Sequence, residues 1–174
     1  MRHLNVEIKA RCGRPDEIRQ VLRARGADFR GTDHQIDTYF RCPRGRLKLR
    51  EGNIERSLIH YSRCDQAAPK TAEVHLCHPG PGPELKELLA AALGVQVVVA
   101  KRREIYFLDN VKFHIDRVEG LGDFVEIEAI DATGRIGRQR LRAQCEEYMR
   151  LFGIRPDDLI ACSYGDMLMK QEAR

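Results

Sequence analysis

Hydrophobic and polar residues alternate near the start of the chain. From Leu4 to Arg11, the apolar residues Val6, Ile8 and Ala10 share one face, and the other face carries Asn5, Glu7, Lys9 and Arg11. A period of two residues is typical of a β-strand whose two faces meet different surroundings. The sequence therefore predicts a first strand with one apolar and one charged face.

Seven further stretches have the composition of short strands. Turn residues separate several of them, for example Pro43-Arg44-Gly45 and Asp109-Asn110. The predicted strands are His34 to Cys42, Arg46 to Glu51, Glu55 to Arg63, Thr71 to His78, Val97 to Leu108, Val111 to Val118 and Phe124 to Asp131. The total is about eight strands.

Three segments show signs of helices instead. The first is predicted to begin at Pro15 and end before Gly26, the second covers Glu84 to Leu93, and the third covers Arg138 to Phe152. Proline at the start of a helix and glycine after its end are common boundaries. From Pro156 onward the sequence predicts only a short tail.

The order of these elements bears on the fold class. The helices do not alternate regularly with the strands, which disfavours a doubly wound sheet. Antiparallel strands of this number commonly close into a barrel whose interior can hold a ligand. The 174 residues, 43% of them hydrophobic, suffice for one domain and are few for two. We therefore expect an α+β fold: a closed eight-stranded antiparallel β-barrel with flanking helices.

Ionised side chains of both signs recur on one face of at least five predicted strands. The basic members are Lys9, Arg11, Lys48, Arg50, Arg63, Lys101 and Arg103, and the acidic members are Glu7, Asp37, Asp116, Glu126 and Glu128. Alternation alone fits either a solvent-exposed face or the interior of a barrel. Charges inside a barrel need one another or a ligand. A triphosphate with a divalent metal would meet that need, because Lys and Arg bind phosphate oxygens and carboxylates bind hard cations.

Composition disfavours several other functions. The net charge is only +4, and the basic residues alternate with apolar ones, which argues against nucleic-acid binding. No apolar run is long enough for a membrane span and no signal-peptide core is visible, so a cytoplasmic location is expected. The six cysteines form no Cys-x-x-Cys pair and are expected to be reduced. His75, Cys77 and His78 lie close together without a second ligand cluster, which favours a strand end over a zinc site.

Motifs along nearly the whole chain resemble the CYTH, or triphosphate tunnel, superfamily. The segment Asn5-Val6-Glu7-Ile8-Lys9 resembles its N-terminal Glu-x-Glu-x-Lys signature. Further similar segments are Asp37-Thr38-Tyr39-Phe40, Lys48-Leu49-Arg50-Glu51, Lys101-Arg102-Arg103, Phe113-His114-Ile115-Asp116, Gly120 to Glu128, and Ser163-Tyr164 in the tail. The resemblance implies a single CYTH-like domain over residues 1–174, built as a tunnel open at both ends.

On matching positions, the resemblance also implies roles for individual residues. Magnesium or manganese would be held by Glu7, Asp116, Glu126 and Glu128, with Asp116 either a ligand or a supporting group. Phosphates would be held by Lys9, Lys48, Arg50, Arg63, Lys101 and Arg103, and the catalytic candidates are Glu7, Lys9 and Arg63. Asn5 takes the first acidic position of the signature as a metal-ligand candidate without negative charge, which leaves the number of metals open.

Two further residues have two interpretations each. Lys70 would add a cation near the site or, as the expected alternative, lie exposed to solvent. His114 would face the lumen as an acid, base or phosphate contact, or serve a structural role.

Three functions follow from the resemblance. The segment from Lys101 to Glu128 looks most like class IV adenylate cyclases, which convert ATP to cyclic AMP and pyrophosphate. The first alternative is a triphosphatase that hydrolyses inorganic triphosphate, thiamine triphosphate or a nucleotide. The second is a non-catalytic module that binds polyphosphate or nucleotides. The partner would be a small-molecule triphosphate, with neither membrane nor nucleic acid, and the protein a monomer or homodimer.

Overall fold

The computed structural model describes residues 2–63 and 65–173, and places eight strands and four α-helices among them. The strands are β1 Arg2–Arg11, β2 Asp28–Phe40, β3 Arg46–Glu51, β4 Arg56–Arg63, β5 Lys70–Cys77, β6 Val95–Leu108, β7 Val111–Val118 and β8 Gly122–Asp131. The helices are α1 Pro15–Ala24, α2 Glu84–Leu93, α3 Arg138–Leu151 and α4 Tyr164–Glu172, with a short 3-10 turn at Pro156–Asp158.

The strands close into one barrel. Their order around it is β1-β5-β4-β3-β2-β6-β7-β8, and β8 pairs with β1 to complete the circle. Every pairing is antiparallel. The predicted α+β fold, a closed eight-stranded antiparallel barrel with flanking helices, is confirmed.

Among the predicted strands, the boundary that differs most from the sequence prediction is the start of β2. Strand β2 begins at Asp28, not at His34, because it continues through an irregular pairing with β6 between Phe29 and Gly31. Gly31 has a φ of 118°, a conformation that favours glycine. In the sequence, a glycine at this position looks like the end of a strand.

The prediction of a mere tail after Pro156 is wrong. Residues Tyr164–Glu172 form α4, whose N-cap Ser163 accepts a hydrogen bond from Asp166 N at 3.1 Å while Asp166 accepts one from Ser163 N at 2.9 Å. This reciprocal capping satisfies backbone groups at the helix start, which makes so short a helix stable.

The outward face of β1 and β8 forms the main core. Val6 and Ile8 are each 1% exposed and pack in a cluster with Leu22 of α1 and Leu141 and Cys145 of α3. Because these helices cover the outer side, the alternate residues of β1 and β8 must point into the barrel. The predicted charged face is therefore the lumen face.

The two ends of the barrel are unequal. The start of α4 lies at one end, where a Cβ added to Gly165 would meet Val97 at 3.0 Å and the Tyr39 ring at 3.4 Å. Tyr39 and Val97 are cross-strand partners on the lumen face. The resemblance implied openings at both ends, but the first turn of α4 narrows this one.

Two other expectations concern the whole chain. No helix in the described part of the chain is both long and apolar enough to cross a membrane. Cys12, Cys42, Cys77, Cys145 and Cys162 are free thiols. Cys64 lies outside the described residues.

Candidate active site

The register of the strands gathers the predicted site residues in the lumen. On β1, Glu7 lies opposite Glu128 and Lys9 lies opposite Glu126 of β8. Arg63 of β4 pairs with Glu7 although β5 lies between their strands, a contact that only the interior permits. All predicted site residues share this face: Asn5, Glu7, Lys9, Lys48, Arg50, Arg63, Lys101, Arg103, Asp116, Glu126 and Glu128. Arg11, at the end of β1, is exposed.

One group of cations converges on Asp37. This carboxylate accepts from Lys101 Nζ at 2.7 Å, from Lys48 Nζ at 2.9 Å, and from Arg50 Nε and an Arg50 terminal nitrogen at 2.9 and 3.0 Å. Asp37 is 1% exposed, so the group is removed from solvent. With Glu55 beside Arg50 and Lys112 beside Glu55, four cations share two carboxylates here, which leaves an excess of positive charge in this part of the lumen. We call Asp37, Lys48, Arg50 and Lys101 the Asp37 cluster.

The pKa values reflect this imbalance. Burial acts to raise the pKa of Asp37, but Arg50, Lys101 and Lys48 bring it well below its usual value. Burial lowers the pKa of Lys101 to about 7, aided by repulsion from Arg50 and Arg103 and opposed by Asp37. An anion close to Lys101 would relieve that repulsion and favour its protonated form.

A second group forms around Glu126. Its carboxylate lies 3.2 Å from Lys9 Nζ, 2.7 Å from an Arg103 terminal nitrogen and 3.1 Å from His114 Nδ1. Arg103 also donates to Asp116 from two nitrogens, at 2.7 and 2.5 Å. In this Glu126 cluster, defined as Lys9, Arg103, His114, Asp116 and Glu126, two carboxylates balance two permanent cations.

Tyr164 of α4 closes the Glu126 cluster from the narrowed end. Its hydroxyl donates to Asp116 at 2.8 Å, and Lys9 Nζ lies 3.6 Å from the centre of its ring. Tyr164 is 4% exposed, and burial raises the pKa of its hydroxyl well above the usual value. The tyrosine therefore stays a neutral donor that fixes Asp116 and covers Lys9.

The first two signature positions lie where β1 meets β8. Glu7 pairs with Arg63, and the Asn5 side-chain nitrogen donates to Glu128. Asn5 is 1% exposed, and its Oδ1 finds no hydrogen-bond partner within the described structure. A buried carbonyl oxygen without a partner, beside two carboxylates, suits a hard cation.

The carboxylates of the lumen are engaged with Lys, Arg and Asn side chains. Among the side chains described, those of residues 4–63 and 65–173, no three His, Cys, Asp or Glu side chains converge to hold a metal ion, and this includes the region of His75, Cys77 and His78. Asn5 Oδ1, Glu7 and Glu128 are nevertheless oxygen donors of the kind that a hard cation prefers, and Asn5 Oδ1 has no partner in the described structure.

Lys70 and His114 are both buried inside the protein. Lys70 is 1% exposed and donates to the main-chain oxygens of Ile160 and Ala161 at 2.8 and 2.9 Å, so the expectation of a solvent-exposed lysine is wrong. His114 faces the lumen and is 2% exposed. Burial lowers the pKa of His114 to about 4, assisted by Arg103, so its imidazole is neutral near pH 7.

Sequence reasoning missed three charged residues at the wide end of the barrel, Glu55, Lys112 and Asp33. Glu55 binds Lys112 and lies 3.2 Å from Arg50, which extends the charge network from the Asp37 cluster to β7. Asp33 holds the turn that carries Glu55 by accepting from Ile54 N and Glu55 N, both at 2.9 Å. Lys112 could have been found, because it alternates with His114 and Asp116 along β7.

The wide end opens into a cavity of about 570 Å³. Its charged lining includes Glu7, Arg50, Arg103, Glu126 and Glu128. Cavities of this size, about 300–1,000 Å³, accommodate whole metabolite-sized ligands. The two clusters therefore border a space that a small charged ligand can enter.

Known structures share this architecture. A protein of Pyrococcus horikoshii OT3 is 27% identical, with a TM-score of 0.76 over 93% of this chain and 98% of that one. A conserved hypothetical protein of Pyrococcus furiosus is 24% identical, with a TM-score of 0.78 over 93% and 98%. A Vibrio parahaemolyticus protein named as a candidate adenylate cyclase is 19% identical, with a TM-score of 0.76 over 95% and 98%.

The comparison by sequence gives the family. No match is found among curated proteins. The family model described as CYTH domain matches residues 3–155. This range includes all eight strands except Arg2, the first residue of β1, and ends before α4. The chain, with its closed barrel and charged lumen, belongs to the CYTH domain family.

Proposed function

We propose that this protein is a metal-dependent enzyme that holds a triphosphate in its barrel, and that it converts ATP to cyclic AMP and pyrophosphate. The Asp37 cluster carries the proposal. Lys48, Arg50 and Lys101 contact the buried carboxylate of Asp37, and Arg50 and Lys112 contact Glu55, so four cations share two carboxylates in this part of the lumen. Buried charge of this kind favours a polyanionic ligand.

The two clusters would share the phosphates. Lys48, Arg50 and Lys101 would bind one part of the chain from β3 and β6, and Lys9, Arg63 and Arg103 would bind the rest. Arg offers paired donors to phosphate oxygens, whereas Lys offers a point charge. Asp116 is already held by Arg103 and Tyr164, which supports a role in orienting Arg103 over one as a metal ligand.

Metal would enter with the phosphates. Asn5 Oδ1, Glu7, Glu126 and Glu128 are the residues of this chain that would hold magnesium or manganese. Such a cation supplies Lewis-acid polarisation of the phosphoryl group and lowers the pKa of the attacking hydroxyl. Because Asn5 brings no charge, the site has one anionic ligand fewer than the acidic signature would give.

The proposed reaction forms one bond and breaks one. The ribose 3'-oxygen bonds to the α-phosphorus, the bond from that phosphorus to the bridging oxygen of the β-phosphate breaks, and the hydroxyl proton is released. Lys9 and Arg63 would neutralise the charge that develops on the departing pyrophosphate. The alternative reaction, hydrolysis, would use the same phosphate-binding residues with water as the nucleophile.

A turnover assay separates the candidate functions. Purified protein is incubated with ATP or inorganic triphosphate and with Mg²⁺ or Mn²⁺, and a chelator provides the control. Cyclic AMP with pyrophosphate is the expected outcome from ATP. Orthophosphate would replace the cyclase with a triphosphatase, and binding without turnover would leave a binding module. Absence of both binding and turnover would overturn the proposal.

A further inference from the structure

An ion pair spans the wide mouth of the barrel. Glu55 lies in the turn between β3 and β4, and its carboxylate contacts Lys112 Nζ near the start of β7. Around the barrel, β2 and β6 lie between β3 and β7, and β5, β1 and β8 lie between β4 and β7. The pair therefore crosses the opening of the lumen.

The Glu55 carboxylate also has contacts deeper in the lumen. Arg50 Nη1 lies 3.2 Å from it, and Gln35 Nε2 donates to it at 3.1 Å. Arg50 and Lys112 both line the cavity at this end. Glu55 thus occupies two cations that an entering ligand would meet.

The backbone of the turn is fixed independently of this carboxylate. Asp33 is fully buried and accepts hydrogen bonds from Ile54 N and Glu55 N, both at 2.9 Å. Gly52 leaves the room that Asp33 needs, because a Cβ on Gly52 would lie 2.5 Å from both carboxylate oxygens of Asp33. The Glu55 side chain, 23% exposed, can therefore rotate towards solvent while the turn keeps its position.

Charge decides which partner the two cations keep. Burial acts to raise the pKa of Glu55, but Lys112 and Arg50 bring it well below its usual value, so the carboxylate is ionised in the free protein. Removing that carboxylate from two half-buried cations costs free energy that a neutral ligand cannot offset. An anionic ligand can offset it, because its oxygens accept hydrogen bonds from the same nitrogens.

We propose that Glu55 is a latch across the wide mouth, which occupies Arg50 and Lys112 in the free protein and yields both to an anionic group of the entering ligand. The inference rests on the proposed function, because the ligand concerned is the triphosphate of the lumen. It makes Glu55 a determinant of specificity, since a ligand without negative charge at the wide end leaves Lys112 unpaired. Because α4 narrows the other end, the latch controls the wider entrance.

A latch lowers the apparent affinity for the ligand, because only the open fraction of the protein is ready to bind. Glu55→Gln removes the charge and keeps the shape of the side chain. This variant should bind inorganic triphosphate about tenfold more tightly than wild type. The measurement is a calorimetric titration with inorganic triphosphate in the presence of Ca²⁺.

Loss of one negative charge would raise anion affinity even without a latch, so the same change is made in a second background. Lys112→Met removes the partner across the mouth. In that background Glu55→Gln should raise the affinity only about threefold or less, because the bridge is already broken and only the contact with Arg50 remains. A pure charge effect would give the same factor in both backgrounds.

A matched control lies at the same end of the barrel. Glu51 pairs with Arg56 at 3.1 Å and with Lys86 of α2 at 3.0 Å, on the outer face of β3. Glu51→Gln should change triphosphate affinity by less than about twofold. If Glu55→Gln fails to fold by circular dichroism, Glu55→Ala replaces it, since Asp33 holds the turn through backbone groups.

The outcomes separate the latch from the function beneath it. Equal gains in the two backgrounds, or no gain from Glu55→Gln, would overturn the latch, while binding of triphosphate by wild-type protein would keep the proposed function. Failure of both wild-type protein and Glu55→Gln to bind triphosphate would remove the proposed function itself.

Discussion

Two regions of the barrel differ in polarity. On β1 and β8 the outer residues, such as Val6 and Ile127, are buried beneath α1 and α3, and the inner residues are charged. On β5 the outer residues Glu73 and His75 are exposed, and the inner residues Ala72 and Val74 are apolar.

The helices explain this difference. A strand covered from outside buries its apolar side chains there and is free to place charges in the lumen. The outer face of β5 meets solvent instead, and its buried apolar residues Ala72 and Val74 lie inside. One barrel thereby has an apolar region in the lumen at β5 and a charged wall, formed by the lumen residues of the Asp37 and Glu126 clusters with Asn5, Glu7 and Glu128. The following predictions test the charged wall.

The largest expected effect is on the charged wall. Glu126→Gln keeps the shape of the side chain but removes the charge that holds Lys9 and Arg103. Turnover should fall by about a thousandfold or more, because the groups that meet the phosphates lose their alignment. The measurement is kcat/KM, accompanied by a thermal melt to confirm folding.

A matched control lies on the outside of the same strand. Asp123→Asn breaks the exposed pair with Arg117 at 2.9 Å and should leave turnover within about twofold of wild type, since exposed ion pairs contribute little. Full activity of Glu126→Gln would show that the charged wall does not carry the reaction. Lys9→Ala should behave like Glu126→Gln.

The next effect separates binding from stability. Lys101→Met removes one of the three cations of the Asp37 cluster and keeps the length of the side chain. Affinity for inorganic triphosphate should fall about a hundredfold, because a buried ionic contact is lost. The free energy of unfolding should stay equal or rise by about 1 kcal/mol, because a repelled buried charge is gone. If Lys101→Met lost both stability and triphosphate affinity, the claim that the lumen holds an excess of cations would be refuted.

A smaller effect should appear with pH. The pKa of Lys101 is about 7 in the free protein, and a bound phosphate raises it. Well below pH 7 Lys101 is protonated and contributes fully to the affinity for triphosphate. Above pH 7 this contribution is lost, and the affinity falls by up to about tenfold per pH unit. Lys101→Arg stays charged and should show no such decline. Parallel pH profiles of triphosphate affinity for the two proteins would contradict this assignment.

The smallest effect concerns Asn5. The substitution Asn5→Asp restores an acidic group next to Glu7 and Glu128, so Mn²⁺ should bind about fivefold to tenfold more tightly in the presence of triphosphate. The free protein should lose stability, because the introduced carboxylate would repel Glu128 in place of the present hydrogen bond. Mn²⁺ titration followed by electron paramagnetic resonance gives the affinity. Unchanged Mn²⁺ affinity would place the metal elsewhere.

Much of the barrel could be predicted from local patterns. Alternation in β1, β3 and β7 and turns such as Asp109-Asn110 gave strands close to those observed, because the two faces of those strands meet different surroundings. Helix α4 escaped detection because it is short, although the Ser163 to Asp166 spacing carries a capping signature.

Parts of the site depend on the closed barrel and could not be read from one strand. Lys70 resembles a loop lysine in sequence, and only the course of Ile160 and Ala161 past β5 reveals its carbonyl partners. Glu55 joins the site through Asp33, which is distant along the chain. The apolar lumen residues of β4 and β5 could not be assigned from the sequence either, because alternation in these strands does not show which face lies inside.

A crystal structure with α,β-methylene-ATP and Mn²⁺ tests the central claim most directly. The account predicts phosphate oxygens within about 3 Å of Lys101 Nζ and the Arg50 guanidinium, with anomalous signal from Mn²⁺ beside Asn5, Glu7 and Glu128. Phosphates bound on the outer surface, with the lumen pairs of Asp37 and Glu126 unchanged, would contradict it.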